Sequence, residues 1–463
     1  MPTRTVQDVV RGTEGALVGG DLNVPVAGVS IDSRTLHVGE VFFAIHGQRL
    51  DGHRYLPDAV ARGASCLVVD TLPDELPSSV SAVLVDDTTK ALGRFAAYHR
   101  ARYTLPVAAV TGSNGKTTTK EMMASVLGAL GPVLKPESSF NNQWGLPLTL
   151  LRLGPEHRAV ALELGANQPG EIATLAAISR PSVGVVTVVA SAHTEFFGSL
   201  DGVQAEKSAL VRALPPEGTA VLNADDSRVL AMRDLARCPV LTFSARADAD
   251  VRAVGPVDET ADGIRFTLEI GGVRQSVRMV FAGRHNVTNA LAAAGVGLAI
   301  GIDAGQIVAG LEAARPAKGR TVWRRAGPLR VLDDTYNANP SSMAAALETL
   351  SAGAGERRRV VVLGDMLELG EIAEHAHREV GRAVARSGAA EFIAMGQHAR
   401  VAVEAAREAG LHESHHATTF EDTVALLLKR LTPNDAVLVK GSRGMRMERV
   451  VDALIARLGD GDG

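Results

Sequence analysis

Apolar positions along the chain fall into two rhythms. Short aliphatic runs alternate with longer stretches in which apolar residues return every three or four positions. The runs SCLVVD, PVAAV, AVALEL, PSVGVVTVV, GTAVLNA, LRVLDD, RRVVVLGD, AEFIAMG and AVLVKG predict buried strands. The stretches HRYLPDAVARGA, KEMMASVLGAL, MAAALETL, AEHAHREVGRAVARSG and MERVVDALIARL predict helices. VAGVSIDSR and EVFFAIHG alternate like further strands, and GRHNVTNALAAAGVGLAIG reads as a helix packed through small residues. Near-continuous Val/Ala/Leu runs suit a parallel sheet covered on both faces. In the last third, strand and helix alternate regularly, which implies βαβ units and a Rossmann-like module. Breaks at Tyr103-Thr104-Leu105-Pro106 and at ARPAKGR divide the chain into residues 1–104, 105–315 and 316–463. The expected fold class is α/β in three domains.

At roughly 150 residues per domain, the length of 463 agrees with that division. Apolar residues make up 46% and charged ones 22%, the profile of a soluble globular protein. Aromatics reach only 4%, so the cores must be built from small aliphatics. The net charge of −4, without a block of like charges, argues against a nucleic-acid partner. Cys66 and Cys238 lie far apart and outside any C-x-x-C spacing. That fits a reducing compartment and indicates neither a disulfide framework nor a zinc site. The start MPTRTVQDVVRG lacks an apolar h-region, and NALAAAGVGLAIG is too short and glycine-broken to span a bilayer. These features predict a cytoplasmic protein with no integral membrane segment.

Only 8 of the 48 basic residues are lysines, so a lysine in a polar loop draws notice. One stands in Thr111-Gly112-Ser113-Asn114-Gly115-Lys116-Thr117-Thr118, between a predicted buried strand and a helix. That is the setting of a phosphate-binding loop. Its glycines let backbone N–H groups curl around phosphates, and the helix start adds a partial positive charge. Lys116 would reach the outer phosphates and Thr117 would offer its hydroxyl to Mg²⁺. Val110 holds the place of the first glycine of the full G-x-x-x-x-G-K-[ST] pattern. Glu163, at the end of AVALEL, is placed to hold Mg²⁺ beside such a loop. His193 follows the strand VGVVTVV at the edge where α/β ligand sites form. On sequence alone, Lys207 reads as a solvated helix lysine, and His412, His415 and His416 read as part of a polar loop.

A T-G-x-N-G-K-T-T loop in place of a full Walker A resembles the Mur ligases and folylpolyglutamate synthases, three-domain ATP-dependent amide-bond-forming enzymes. Three further segments are similar to the Mur branch that adds D-alanyl-D-alanine to UDP-N-acetylmuramoyl-tripeptide. They are Phe140–Leu150 (FNNQWGLPLTL), Asp333–Pro340 (DDTYNANP) and Leu363–Gly370 (LGDMLELG). The D-N-P-R stretch of the branch that adds meso-diaminopimelate is absent. The resemblance runs through essentially the whole chain and makes the domains a small N-terminal α/β domain for the UDP-sugar, a central P-loop parallel-sheet ATPase domain, and a C-terminal Rossmann-like domain for the dipeptide.

The resemblance implies acyl-phosphate chemistry, ATP, two Mg²⁺ ions and a monomer. It makes Lys116, Glu163, His193 and Lys207 the catalytic set, with Thr117, Glu163, His193 and Lys207 toward magnesium and Lys207 carbamylated by CO₂. Family members often read K-G-E at the lysine, whereas this chain reads Lys207-Ser208-Ala209, which puts a supporting acid in doubt. Nucleotide contacts extend to Asn286, Arg320 and Asp334. Ser30, Asp32, Ser33 and Arg34 resemble the uridine-contact segment, and Asn141 and Asn142 the segment near the diphosphate. Tyr336, Asn337, Asn339, Ser442 and Arg443 are the candidates for the dipeptide end. Two rivals stay open: a folylpolyglutamate synthase, and a P-loop module that only senses nucleotide.

Overall fold

The computed structural model describes residues 4–47, 50–73, 80–137, 140–190, 197–260 and 263–459. Three main sheets form in three successive stretches of the chain. The first has the order Ala16–Gly19, Ser81–Leu84, Cys66–Val69, Glu40–Phe43, Gly28–Ser30, with only the Ala16–Gly19 edge antiparallel. A two-stranded ribbon, Arg4–Thr5 with Pro25–Val26, lies beside it.

The second sheet is built around Val107–Thr111. Ala159–Glu163 pairs parallel on one side and Val183–Val186 on the other, followed by Thr219–Asn223 and Val240–Ser244. All residues of Val107–Thr111 and Ala159–Glu163 are buried, as expected for strands covered on both faces. Past Val251–Thr260 the sheet departs from expectation. Gly263–Ile270 and Val273–Met279 continue it as antiparallel hairpin strands. Their alternating exposed charges give a half-buried pattern unlike the apolar runs that announced the rest.

The third sheet runs Val322–Ala326, Leu329–Asp334, Asp435–Lys440, Arg358–Gly364, Glu391–Met395, Ser414–Ala417, parallel except for its first pair. The His412–His416 segment, expected as a polar loop, is in part its edge strand. His415 faces two acids there, with Nε2 3.1 Å from Glu391 and 3.5 Å from Glu413. The acids lie one strand over and two residues back, a proximity that spacing does not announce.

The first two sheets share one hydrophobic core through the helix Thr88–Arg100. This helix packs on Gly145–Leu150 and Glu171–Ser179, and its last turn is tied by His99 Nε2 to the Leu153 carbonyl at 2.9 Å. The helix His285–Ile300 covers the other face of the central sheet with alanines and glycines. Its Gly295 and Gly297 would place a Cβ 2.6 Å from Val221 and 2.7 Å from Ile307, so only small residues permit this approach.

Candidate functional site

The strand Val107–Thr111 ends in a tight turn into the helix Lys116–Leu127. Gly112 and Gly115 hold φ of +145° and +82°, the region that favours glycine. A Cβ on Gly112 would lie 2.0 Å from Thr187 Oγ1, and one on Gly115 2.3 Å from Asn289 Oδ1. Thr187 Oγ1 donates to the Asn114 carbonyl at 2.6 Å and Ser113 Oγ to the Ala190 carbonyl at 2.9 Å, pinning the turn to the next strand. Because the helix begins at Lys116, its first N–H groups have no acceptor within the helix and point toward the turn.

The turn forms one wall of a cavity of about 840 Å³. Thr117 Oγ1 donates to Glu163 Oε2 at 2.8 Å, and Asn141 Nδ2 donates to Glu163 Oε1 at 2.7 Å. Lys116 Nζ, half-buried, donates to the Gly112 carbonyl of its own loop at 2.9 Å. Burial pushes its ammonium below the ordinary lysine value, Glu163 opposes that, and Arg320 adds to it.

The opposite wall comes from the third sheet and the segment leading into it. Arg320 donates to Thr117 Oγ1 at 3.0 Å, and its guanidinium stacks 3.8 Å from the centroid of Tyr336. Its buried Nε has no hydrogen-bond partner among the described residues. Asn339 Nδ2 donates to Asn114 Oδ1 at 2.7 Å, while its Oδ1 caps the helix Pro340–Gly353 through Ser342 N at 2.9 Å. Asp334 accepts from Lys440 Nζ at 2.6 Å and from the Thr321 backbone N–H at 3.0 Å. Asp334 thus fixes the linker beside Arg320.

Lys207 is buried on the helix Leu200–Arg212, with Nζ 5.6 Å from the centroid of Phe197. Burial first, and then the charge of Lys116, push its ammonium down to about 7. It is therefore no solvated helix lysine. Glu206 beside it accepts from Gly170 N and Ile172 N, both at 2.7 Å, so this helix grips the loop that lines the cavity.

Of the expected site residues, Ser113 to Thr118, Asn141, Asn142, Glu163, Arg320, Asp334, Tyr336, Asn337 and Asn339 line this one cavity. His193 lies outside the described residues. Asn286 does not line the cavity: its amide donates to the Ala282 carbonyl at 2.7 Å and accepts from Asn289 at 2.8 Å. Asn289, one turn on, faces the cavity instead. Ser442 is buried away from it, accepting from Leu367 N at 2.9 Å. Exposed Arg443 sits 5.6 Å from the Tyr336 ring. Ser30, Asp32, Ser33 and Arg34 form a local turn elsewhere, at the end of Gly28–Ser30, where Asp32 takes the Arg34 guanidinium at 2.7 Å. Lys440 was missed, although a scarce lysine ending a buried strand was a usable signal. His285, Gln168 and Glu171 also line the cavity and carried no motif.

Family models match three stretches: "Mur ligase family, catalytic domain" over residues 25–100, "Mur ligase middle domain" over 110–297 and "Mur ligase, glutamate ligase domain" over 319–443. The chain belongs to the Mur ligase family. As a Mur ligase it is an ATP-dependent ligase. It is 38% identical over 449 residues to the UDP-N-acetylmuramoyl-tripeptide--D-alanyl-D-alanine ligase of Escherichia coli (strain K12), covering 95% of this chain and 96% of that one. The crystal structure of MurF from Acinetobacter baumannii superposes with a TM-score of 0.92 at 33% identity, over 99% and 100% of the two chains. MurF ligase from Thermotoga maritima in complex with ADP gives 0.80 at 26% identity, over 93% and 97%. No helix among the described residues is long and apolar enough to cross a membrane.

Proposed function

We infer that this Mur ligase joins D-alanyl-D-alanine to UDP-N-acetylmuramoyl-tripeptide, converting ATP to ADP and phosphate, in peptidoglycan precursor synthesis. One observation carries the reading. The glycine turn and the Tyr336–Asn339 segment face each other across one cavity, in a chain whose relatives of that activity match it nearly end to end. The terminal carboxylate of the tripeptide attacks the γ-phosphorus of ATP. An O–P bond forms, the bond to ADP breaks, and an acyl phosphate results. The amine of D-Ala-D-Ala then attacks the acyl carbon, loses a proton, and phosphate leaves.

Bringing an anion onto a polyanion needs fixed positive charge more than a covalent nucleophile. Lys116, Arg320 and the N–H groups at the helix start supply it, and the unpartnered Nε of Arg320 leaves donor capacity for a phosphate oxygen. Thr117 and Glu163 present hard oxygen donors 2.8 Å apart, a set that fits Mg²⁺. A magnesium ion held by Thr117 and Glu163 would supply charge neutralisation for the phosphates. Lys207, buried and with its ammonium pushed down to about 7, gives up its proton far more readily than an exposed lysine, as capture of CO₂ requires, and a carbamate there, with His193, would serve a second magnesium. Ala209, where relatives often carry an acid, leaves that role to neighbours such as Glu171 and Glu206, whose charges act on Lys207.

Residues 1–104 hold the UDP-sugar through Ser30, Asp32, Ser33 and Arg34, with Asn141 and Asn142 toward the diphosphate. Residues 105–315 activate with ATP. Residues 316–463 bring the dipeptide through Tyr336, Asn337 and Arg443, while Asn339 and Ser442 shape that wall. The enzyme acts in the cytoplasm as a monomer. Phosphate release is expected only when UDP-N-acetylmuramoyl-tripeptide and D-Ala-D-Ala are both present. Turnover of ATP indifferent to both substrates would sink the reading, and turnover with folate and glutamate would replace it.

A further inference from the structure

The segment Leu363–Gly370 leaves the end of the strand Arg358–Gly364 and is bonded in place residue by residue. Asp365, buried, accepts from the Gln397 backbone N–H at 2.6 Å and from that of His398 at 3.2 Å. The Met366 N–H donates to His377 Nε2 at 3.0 Å, and the Leu367 N–H to Ser442 Oγ at 2.9 Å. The Ser442 N–H donates back to the Asp365 carbonyl at 3.0 Å. Met366 and Leu369 are buried, whereas Glu368 is exposed and lines the cavity.

Glu368 holds φ of +62°, in the left-handed region where a glycine is unstrained and a glutamate is not. A side chain standing at such a position on a cavity wall points to a use for that side chain. Its neighbours locate the use. The bonds to Ser442 set the segment against the turn that carries Arg443, and a Cβ on Gly444 would lie 2.9 Å from Leu367 Cδ1. Arg443 lies 5.6 Å from the centroid of Tyr336 and 3.4 Å from Glu448 Oε1. A carboxylate and a guanidinium thus stand on adjoining segments of the third part of the chain. Among the described residues, the other carboxylates lining the cavity serve elsewhere. Glu163 belongs to the phosphate turn, Glu171 to the backbone of Asn167 and Gln168, and Asp334 to the linker.

We propose that Glu368 binds the ammonium group of the incoming dipeptide while Arg443 takes the carboxylate at its other end, an assignment that rests on the ligase reading above. D-Ala-D-Ala is a zwitterion near pH 7, with a cationic amine and an anionic carboxylate. An extended dipeptide spans at most about 7 Å, so both ends can be met from two adjoining segments. A charged end that leaves water needs a partner of opposite sign. Glu368 supplies that partner for the amine, on the same wall as Arg443. The pair also gives a basis for selection, because an acceptor without a free amine leaves the carboxylate unmatched.

The test is steady-state kinetics of the full chain with ATP, UDP-N-acetylmuramoyl-tripeptide and D-Ala-D-Ala. Glu368→Gln keeps the shape and removes the charge. It should raise the KM for D-Ala-D-Ala about 10- to 100-fold, as expected for a hydrogen bond to a charged group, and leave the KM values of the other two substrates in place. Glu368→Gly should raise it as much while the Tm holds or rises, because glycine relieves the left-handed strain. A side chain needed only for folding would lower the Tm instead. N-acetyl-D-Ala-D-Ala, which has no ammonium, should inhibit the wild type and Glu368→Gln equally. A wild-type KM for D-Ala-D-Ala in both variants, or an equal rise in the KM for ATP, would overturn the ammonium seat while the ligase reading stands. A wild-type chain that does not ligate D-Ala-D-Ala would overturn the ligase reading and this seat with it.

Discussion

Arg320 donates a hydrogen bond to Thr117 Oγ1 at 3.0 Å while stacking on Tyr336, and thereby ties the third part of the chain to the phosphate turn of the second. The same hydroxyl donates to Glu163, so one contact links the linker arginine, the turn and the strand-end acid. A planar, permanently charged fork suits this position because it stacks and donates at once.

Arg320→Ala should lower kcat/KM for ATP by about 10²- to 10³-fold, the cost of removing one preorganised donor from developing charge. Arg320→Lys should recover only part, since it restores charge without the fork. Steady-state kinetics against a thermal melt check this, and unchanged kinetics in the Ala variant would remove Arg320 from the reaction.

Lys207→Ala should abolish ligation, because the buried position beside Phe197 would lose the amine proposed to carry the carbamate. A short-chain carboxylic acid added to that variant should partly restore turnover by supplying an anionic oxygen. Unchanged turnover without any additive would refute the carbamate role.

Lys440 and Asp334 form a buried pair at 2.6 Å that holds Thr321 and so the Arg320 segment. Lys440→Met should destabilise the protein by about 3–5 kcal/mol, because it strands a buried carboxylate. The double variant Lys440→Met with Asp334→Asn should regain part of that loss. Chemical denaturation of the three variants measures the coupling, and simple additivity would contradict it.

Burial pushes the His99 imidazole down to about 4, with its hydrogen bond to the Leu153 carbonyl opposing that shift. The unfolded chain takes up this proton near 6.5, the folded one only near 4. Stability from the neutral ring is therefore full above pH 6.5 and falls as pH drops toward 4, by up to about 3 kcal/mol. His99→Gln, which keeps a donor for Leu153, should flatten this part of the curve. Urea unfolding at several pH values would reveal it, and parallel curves for the two proteins would exclude His99 as the cause.

Much of the fold was legible because aliphatic runs mark strands buried on both faces. The hairpin strands Gly263–Ile270 and Val273–Met279 escaped because one face meets solvent and their alternation is diluted by arginines. Asn286 was the amide expected at the nucleotide, and Asn289 was not foreseen, for a similar reason. Both sit on one helix three residues apart, and only the packing against Gly115 decides which amide faces the turn.

By itself the sequence determined the phosphate turn, its glycines, its lysine and the family, because a turn between a strand and a helix is encoded in consecutive residues. The tertiary structure alone decided the facing wall. Arg320 meets Thr117 across 203 residues and Asn339 meets Asn114 across 225, and local residue patterns carry no record of contacts made at that separation. It also decided the burial of Lys207, and how readily a lysine gives up its proton depends on how far packing removes it from water.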